Sequence, residues 1–385
     1  MRKTVAVLPQ ALLVVIIFSA ISNHPSFAES TPTKEISVLS SWQSPSNLKT
    51  SGDVKSFLEL PEGLTRQEPC DLDSNWALRA IHLKSALLRF EERNQVPGQD
   101  VVVAHIDTGI SPHPALLGAR IDLDRAYNFI DHSAHVFHRF TKYQFPKHGH
   151  GTETLSLIAA PRKMIPENKT CISGVAPFAS FIPLLATDSA IIGVGTRVAK
   201  AVVYAVDQGA HVINISLGDI LPMPELYEAL RYAKNQGVIV IAAAGNGTGW
   251  IPVFPGVYPS VIAVGGVSED LSPWGGATRG SYVAWSAPAN GVPAAFTNLV
   301  DKMLIYSWGE SAGTSDATAM TSGIATLWLS YHGREALLAR YGRSNLSERF
   351  RQLVESKGVW RPQDWPKIGY GAGIVDADKV LAAPL

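Results

Sequence analysis

The chain has 385 residues, 46% hydrophobic and 17% charged, a balance that supports one large buried core and excludes an extended, unfolded polymer. Its 33 basic and 33 acidic side chains cancel to a formal charge of +0 with no basic block, so a nucleic-acid partner is not expected. Cys70 and Cys171 allow a single disulfide, and their proximity is not legible in the sequence.

In chain order, the first feature is a secretory signal over residues 1–28. Arg2 and Lys3 form its charged start, Ala11–Phe18 its apolar centre, and Ser26-Phe27-Ala28 its small-residue cleavage site. The mature chain is therefore expected outside the cytoplasm, secreted or periplasmic, with no membrane span once the signal is cleaved. Residues 29–74 are rich in Ser, Thr, Pro and Lys and read as an extended or poorly ordered segment. Residues 75–385 read as one folded domain.

Within that domain Ser85–Arg93 has helical spacing, and Val101–Ile106 is a continuous apolar run of the kind found in buried parallel strands. Residues 151–160 predict a helix, Ser180–Leu185 a strand, Thr196–Gln208 a helix and His211–Ser216 a strand. Glu225–Gln236 follows as a helix, Val238–Ala244 and Val261–Val264 as strands, and Thr314–His332 as a long helix. Strands alternating with helices imply an α/β fold, a mostly parallel central sheet with helices on both faces.

Three polar residues stand in contexts that suit nucleophilic catalysis. Asp107 ends the first apolar strand, His150 opens a helix in His148-Gly149-His150-Gly151-Thr152, and Ser315 begins the long helix in Gly313-Thr314-Ser315. A serine hydroxyl is a weak nucleophile that needs a base, and the base needs an orienting acid. The chain order Asp, His, Ser is one of the known orders for such a triad. Asn246, after Ala242-Ala243-Ala244-Gly245, is the natural side-chain donor to an oxyanion, with the Ser315 backbone N–H as the second.

These motifs resemble those of the subtilisin-like serine proteases, the subtilases. Val212–Gly218, Ala242–Asn246 and Tyr258–Gly265 extend the likeness, which runs from about Trp76 to the C-terminus. The resemblance implies a subtilisin-like three-layer sandwich and an endopeptidase acting on peptides or proteins through an acyl-enzyme, expected to work as a monomer. It also implies that Ser216-Leu217-Gly218 carries the substrate as an added strand, Gly218 leaving room for close approach, and that Phe254–Pro255 is cis.

Several positions depart from the family. Glu153 stands where His is usual and is expected to be a charge on the first helical turn. Asp316-Ala317-Thr318-Ala319 replaces Met-Ala-x-Pro, with Asp316 expected to point outward. Asp219 replaces a common Gly. Ala115 stands where calcium-binding relatives have Asp, so one common calcium site is degraded; calcium stays open as a cofactor and no metal ligand is assigned. Two rivals remain: a non-catalytic relative, favoured by Glu153, Asp316 and Ala319, and an esterase built on Gly309-Glu310-Ser311-Ala312-Gly313, which matches G-x-S-x-G with only His332 downstream.

Overall fold

The computed structural model describes residues 70–139, 149–165, 170–193, 195–300, 303–366 and 368–385. The signal at residues 1–28 and almost all of the segment 29–74 lie outside the described residues. The helices that matter for the site are α1 (Trp76–Ala80), α2 (Leu83–Glu92), α3 (His150–Ala159), α4 (Gly195–Asp207), α5 (Pro224–Asn235) and α6 (Thr314–His332). The longer strands are β1 (Val102–Asp107), β2 (Ser180–Leu185), β3 (Val212–Ile215), β4 (Ile239–Ala243), β5 (Ile262–Ser268), β6 (Val283–Val300) and β7 (Met303–Ala312).

The sheet is parallel through its centre, in the order β6-β5-β4-β3-β1-β2. Its central strands are mostly apolar because both faces are covered. Side chains alternate between two separate cores. Val103, Phe181, Val212, Ile239 and Ile241 join Leu155 and Ile158 of α3 and Met320 and Ile324 of α6 on one face. Ala104, Ile106, Ile182, Ile213 and Val240 join Val198 and Val202 of α4 and Leu226 and Leu230 of α5 on the other. This is the three-layer α/β sandwich expected from the sequence.

The long hairpin of β6 and β7 is not foreshadowed there. It pairs antiparallel from Asn290–Ala312 to Val300–Met303. Pro288 and Pro293 mask it, since proline removes a ladder donor, and a register shift between Asn290 and Val292 interrupts the alternation. Among the described residues no helix is long and apolar enough to cross a membrane. The Phe254–Pro255 bond is cis.

Cys70 and Cys171 form a disulfide across 101 residues of sequence. Around it, the Cys171 N–H donates to Ser74 Oγ (3.0 Å) and Asn75 Nδ2 donates to the Cys171 carbonyl (3.0 Å). The nearby turn Pro114–Leu116 shows why calcium does not fit at Ala115. Lys163, 7% exposed, donates its ammonium to the carbonyls of Pro114 and Leu117. Burial pulls its pKa down to about 8, which still leaves a cation at neutral pH. Calcium needs several anionic or carbonyl oxygens, and here a side-chain cation already takes them. Among the described residues no cluster of three or more His, Cys, Asp or Glu is placed to hold a metal; Glu167 of the neighbouring loop lies outside them.

Replacing both cysteines with serine is therefore expected to lower stability by about 2–4 kcal/mol, while EDTA moves the thermal midpoint little. Thermal unfolding of both forms with and without chelator checks this. A large chelator shift together with an unchanged midpoint in the double variant is the contrary result.

Candidate active site

The site forms where the chain order of the sheet reverses. β1 lies between β2 and β3, and such a switch point opens a crevice at the carboxyl ends of the strands. Asp107 is the last residue of β1, Ser216 follows β3, and Asn246 lies just beyond β4. The N-termini of α3 and α6 bring His150 and Ser315 to the same rim.

Asp107 is fully buried. Its Oδ1 accepts the Thr108 N–H (2.7 Å) and lies 2.7 Å from His150 Nδ1. On its other side Thr154, one turn along α3, lies 3.4 Å from Oδ2 and 2.9 Å from His105 Nε2. His105 is held neutral, its pKa lowered to about 4 by burial. His150 Nε2 lies 3.1 Å from Ser315 Oγ, and that Oγ is also 3.1 Å from the Ser216 carbonyl. The single hydroxyl proton serves only one acceptor at a time. When His150 is protonated, its Nε2–H faces Ser315 Oγ and the hydroxyl donates to Ser216; when it is neutral, Nε2 accepts.

Burial alone depresses the His150 pKa, but the charge and hydrogen bond of Asp107 more than offset it, with further raising by Glu153 and Asp316. The net direction is upward. Burial likewise opposes ionisation of Asp107, and the His150 partner brings its pKa below the usual carboxylate value. Glu153 lies in the first turn of α3, as expected, but there it is 3% exposed and accepts the Ser311 hydroxyl. Asp316 does not point outward: it is fully buried, because α6 begins inside the molecule, packed on α3, β3 and β4.

If His150 is the base, only its neutral imidazole takes the serine proton, and kcat/KM should then rise with pH through its raised pKa. Its acid limb is expected above the ordinary histidine value of about 6.5. Asp316→Asn and Glu153→Gln should each move that limb to lower pH, since each removes a negative charge that favours imidazolium. An unmoved limb in both variants is the contrary result.

Asn246 is oriented by its neighbour. Its Oδ1 accepts both the Thr314 N–H (2.9 Å) and the Thr314 hydroxyl (2.8 Å). The backbone N–H can only donate, which assigns the oxygen to that side and leaves the Nδ2 donors beside Gly313 and Ser315. The Ser315 N–H is among the first-turn donors that a helix cannot pair internally. A buried chain fixes this end of α6: Ser322 Oγ donates to Asn214 Oδ1 (2.9 Å), Asn214 Nδ2 to Ser216 Oγ (3.1 Å), and Ser216 Oγ to the Ser315 carbonyl (3.0 Å). Thr314, Thr154, Asn214 and Ser322 went unmarked in the sequence. Thr154 at four residues after His150 was the one with a readable signal.

Ser216, Leu217 and Gly218 all lie at this rim, but Gly218 already has a strand partner. Its N–H donates to the Ala190 carbonyl (3.0 Å), and its carbonyl accepts the Ile192 N–H (3.0 Å). The Asp219 carboxylate is also engaged, with the N–H groups of Gly193 (3.1 Å) and Leu221 (3.2 Å). Ser311, the serine of the G-x-S-x-G match, is buried near the end of β7, where its hydroxyl donates to the Glu153 carboxylate. Ala319 leaves α6 unbroken to His332.

A parallel α/β sandwich with a carboxylate, an imidazole and a hydroxyl in one hydrogen-bonded row at its switch point is the framework of a serine hydrolase. The model of the subtilase family, peptidase S8, matches residues 98–349. The chain belongs to that family and is a subtilisin-like serine endopeptidase. It is 32% identical over 255 residues to thermitase from Thermoactinomyces vulgaris, covering 66% of this chain and 82% of thermitase. It is also 32% identical over 259 residues to the thermophilic serine proteinase of Bacillus sp. (strain AK1), covering 67% of this chain and 56% of that protein. Among solved structures, a protease from Pseudoalteromonas arctica superposes with a TM-score of 0.65 at 22% identity, covering 82% of this chain and 98% of that one. That likeness bears on the fold alone.

Proposed function

We propose that the chain is an exported endopeptidase that cleaves peptide bonds through an acyl-enzyme, with Ser315 as nucleophile, His150 as base and then acid, and Asp107 as orienter. Neutral His150 removes the Ser315 proton as Oγ attacks the scissile carbonyl, and imidazolium then gives a proton to the leaving amine. Asp107 holds the Nδ1–H tautomer and stabilises imidazolium. Asn246 Nδ2 and the Ser315 N–H receive the oxyanion. The substrate main chain pairs with the carbonyl of Ser216; engaging Gly218 as well requires Ala190–Ile192 to move away. The observation that carries the reading is the row from Asp107 through His150 to Ser315, with spacings of 2.7 and 3.1 Å.

The signal features of residues 1–28 support export, and residues 75–385 are assigned as the catalytic domain, acting as a monomer. A fluorophosphonate tests the catalytic assignment. Peptide mapping should find the label on Ser315. Label on Ser311, or none on a folded protein, would count against the reading in favour of an esterase or a non-catalytic relative.

A further inference from the structure

Asp107 has two carboxylate oxygens, and they are served by different groups. Oδ1 accepts the Thr108 N–H and faces His150 Nδ1, both at 2.7 Å. Oδ2 has Thr154 Oγ1 at 3.4 Å, the only donor within hydrogen-bond reach of it among the described residues. Asp107 and Thr154 are both fully buried, and a carboxylate oxygen out of water keeps its charge at low cost only when a donor serves it.

His105 completes this corner. Val103, His105 and Asp107 alternate onto the face of β1 that meets α3, where Val103 joins the apolar core. His105 is the single polar residue within Val101–Ile106, and it is 1% exposed. Its Nε2 lies 2.9 Å from Thr154 Oγ1 and 3.9 Å from Asp107 Oδ2. Burial keeps the ring neutral, with its pKa lowered to about 4, so it carries one N–H. A lone pair on Nε2 would face the Asp107 anion, whereas an N–H there is attracted to it, so the proton sits on Nε2. In that tautomer Nε2–H donates to Thr154 Oγ1, and the threonine keeps its own proton to give. Its acceptors in range are Asp107 Oδ2 and the carbonyls of His150 (3.0 Å) and Gly151 (3.5 Å). A charged acceptor in a buried corner outweighs a neutral carbonyl, although the His150 carbonyl is nearer.

Resting on the catalytic reading above, we propose that Thr154 and His105 are positioning residues. They form a second hydrogen-bonded arm, from His105 Nε2–H to the Thr154 hydroxyl to Asp107 Oδ2, which fixes the carboxylate and disperses part of its charge. A carboxylate so relieved stabilises imidazolium less, so the arm holds the His150 pKa below the value that Asp107 would impose without it. The other charges facing His150 are Glu153 on α3 and Asp316 on α6, which raise its pKa, while neutral His105 on β1 adds none. His138 lies against Thr108 and the Gly149 N–H at the edge of the same corner.

The test compares the full-length protein with Thr154→Val, which keeps the side-chain shape and loses the hydroxyl, and with Thr154→Ser, His105→Leu and the double variant of Thr154→Val with His105→Leu. Two readouts are followed against pH: kcat and KM, and the low-field proton resonance of His150 Nδ1–H. Thr154→Val should lower kcat by about 10–100-fold with KM little changed, and should move the His150 titration to higher pH. Thr154→Ser should stay near the parent in both. His105→Leu should move both in the direction of Thr154→Val, and the double variant should lose no more than Thr154→Val alone, because His105 acts through Thr154. An unmoved or lowered titration in folded Thr154→Val, a serine variant as impaired as the valine one, or losses that multiply in the double variant would overturn the proposal. If Thr154→Val does not fold, an unmoved titration in folded His105→Leu overturns it instead. The resonance titrates whether or not Ser315 attacks a peptide, and fluorophosphonate labelling run in parallel reads the nucleophile. A shifted titration without label on Ser315 removes the catalytic assignment and keeps the arm, whereas labelled Ser315 with an unmoved titration removes the arm alone.

Discussion

Ser315→Ala is expected to lower peptide hydrolysis by about 10⁶ in kcat while leaving the fold in place, a scale carried over from triad removal in a related subtilisin. Among the described residues the hydroxyl hydrogen-bonds only His150 Nε2 and the Ser216 carbonyl, at 3.1 Å each, and the α6 start is held by other groups, among them the Ser315 carbonyl bonded to Ser216. Its loss therefore removes the proposed nucleophile without unfastening the helix. His150→Ala should cost about as much, because the members act as a unit, and the double variant should lose little more than either single one. Losses that multiplied, or a Ser315→Ala variant with retained activity after purification from an inactive host, would exclude Ser315 as the attacking group. A small residual rate over water is expected in both single variants from the oxyanion donors.

The second large effect is at Asn246. Removing an oxyanion donor costs about 10²–10³ in kcat, a magnitude drawn from the equivalent change in a related enzyme and not from this geometry. Asn246→Ala alone would be ambiguous, since Asn246 Oδ1 also anchors Thr314 through two hydrogen bonds of 2.9 and 2.8 Å. Asn246→Asp resolves this. The carboxylate keeps both bonds to Thr314 but puts a negative oxygen where the Nδ2 donors were. If oxyanion stabilisation is the role, Asn246→Asp loses at least as much kcat as Asn246→Ala, with KM little changed. If the role is to anchor α6, Asn246→Asp stays near the parent and only Asn246→Ala falls. Single-turnover kinetics with an ester and an amide substrate measure both.

Much of the site was legible because its parts sit in strong local patterns. Asp107 ends an apolar run, and a buried parallel strand has that signature whatever surrounds it. His150 and Ser315 stand at the starts of two helices whose ends match the expected bounds closely: His150–Ala159 against 151–160, and Thr314–His332 without change. Backbone periodicity determines those elements, and the order of the motifs determines their membership in one family. The β6–β7 hairpin was hidden because its prolines and its bulge break the period-2 pattern on which strand reading depends.

What the sequence by itself determined is therefore the parallel strands and the helices between them, the family, and which aspartate, histidine, serine and asparagine to consider. Tertiary structure alone decided how their surroundings act on them. A charged side chain on a helical turn reads as solvated unless its neighbours are known, and Glu153 and Asp316 are buried because α3 and α6 pack against each other and against the sheet. Lys163 reads as one more surface cation until the fold lays it on the carbonyls of Pro114 and Leu117. The same holds for pairings across long separations: Cys70 with Cys171, and Gly218 with Ala190 and Ile192. Each depends on where two distant segments meet, and local propensity carries no term for that distance.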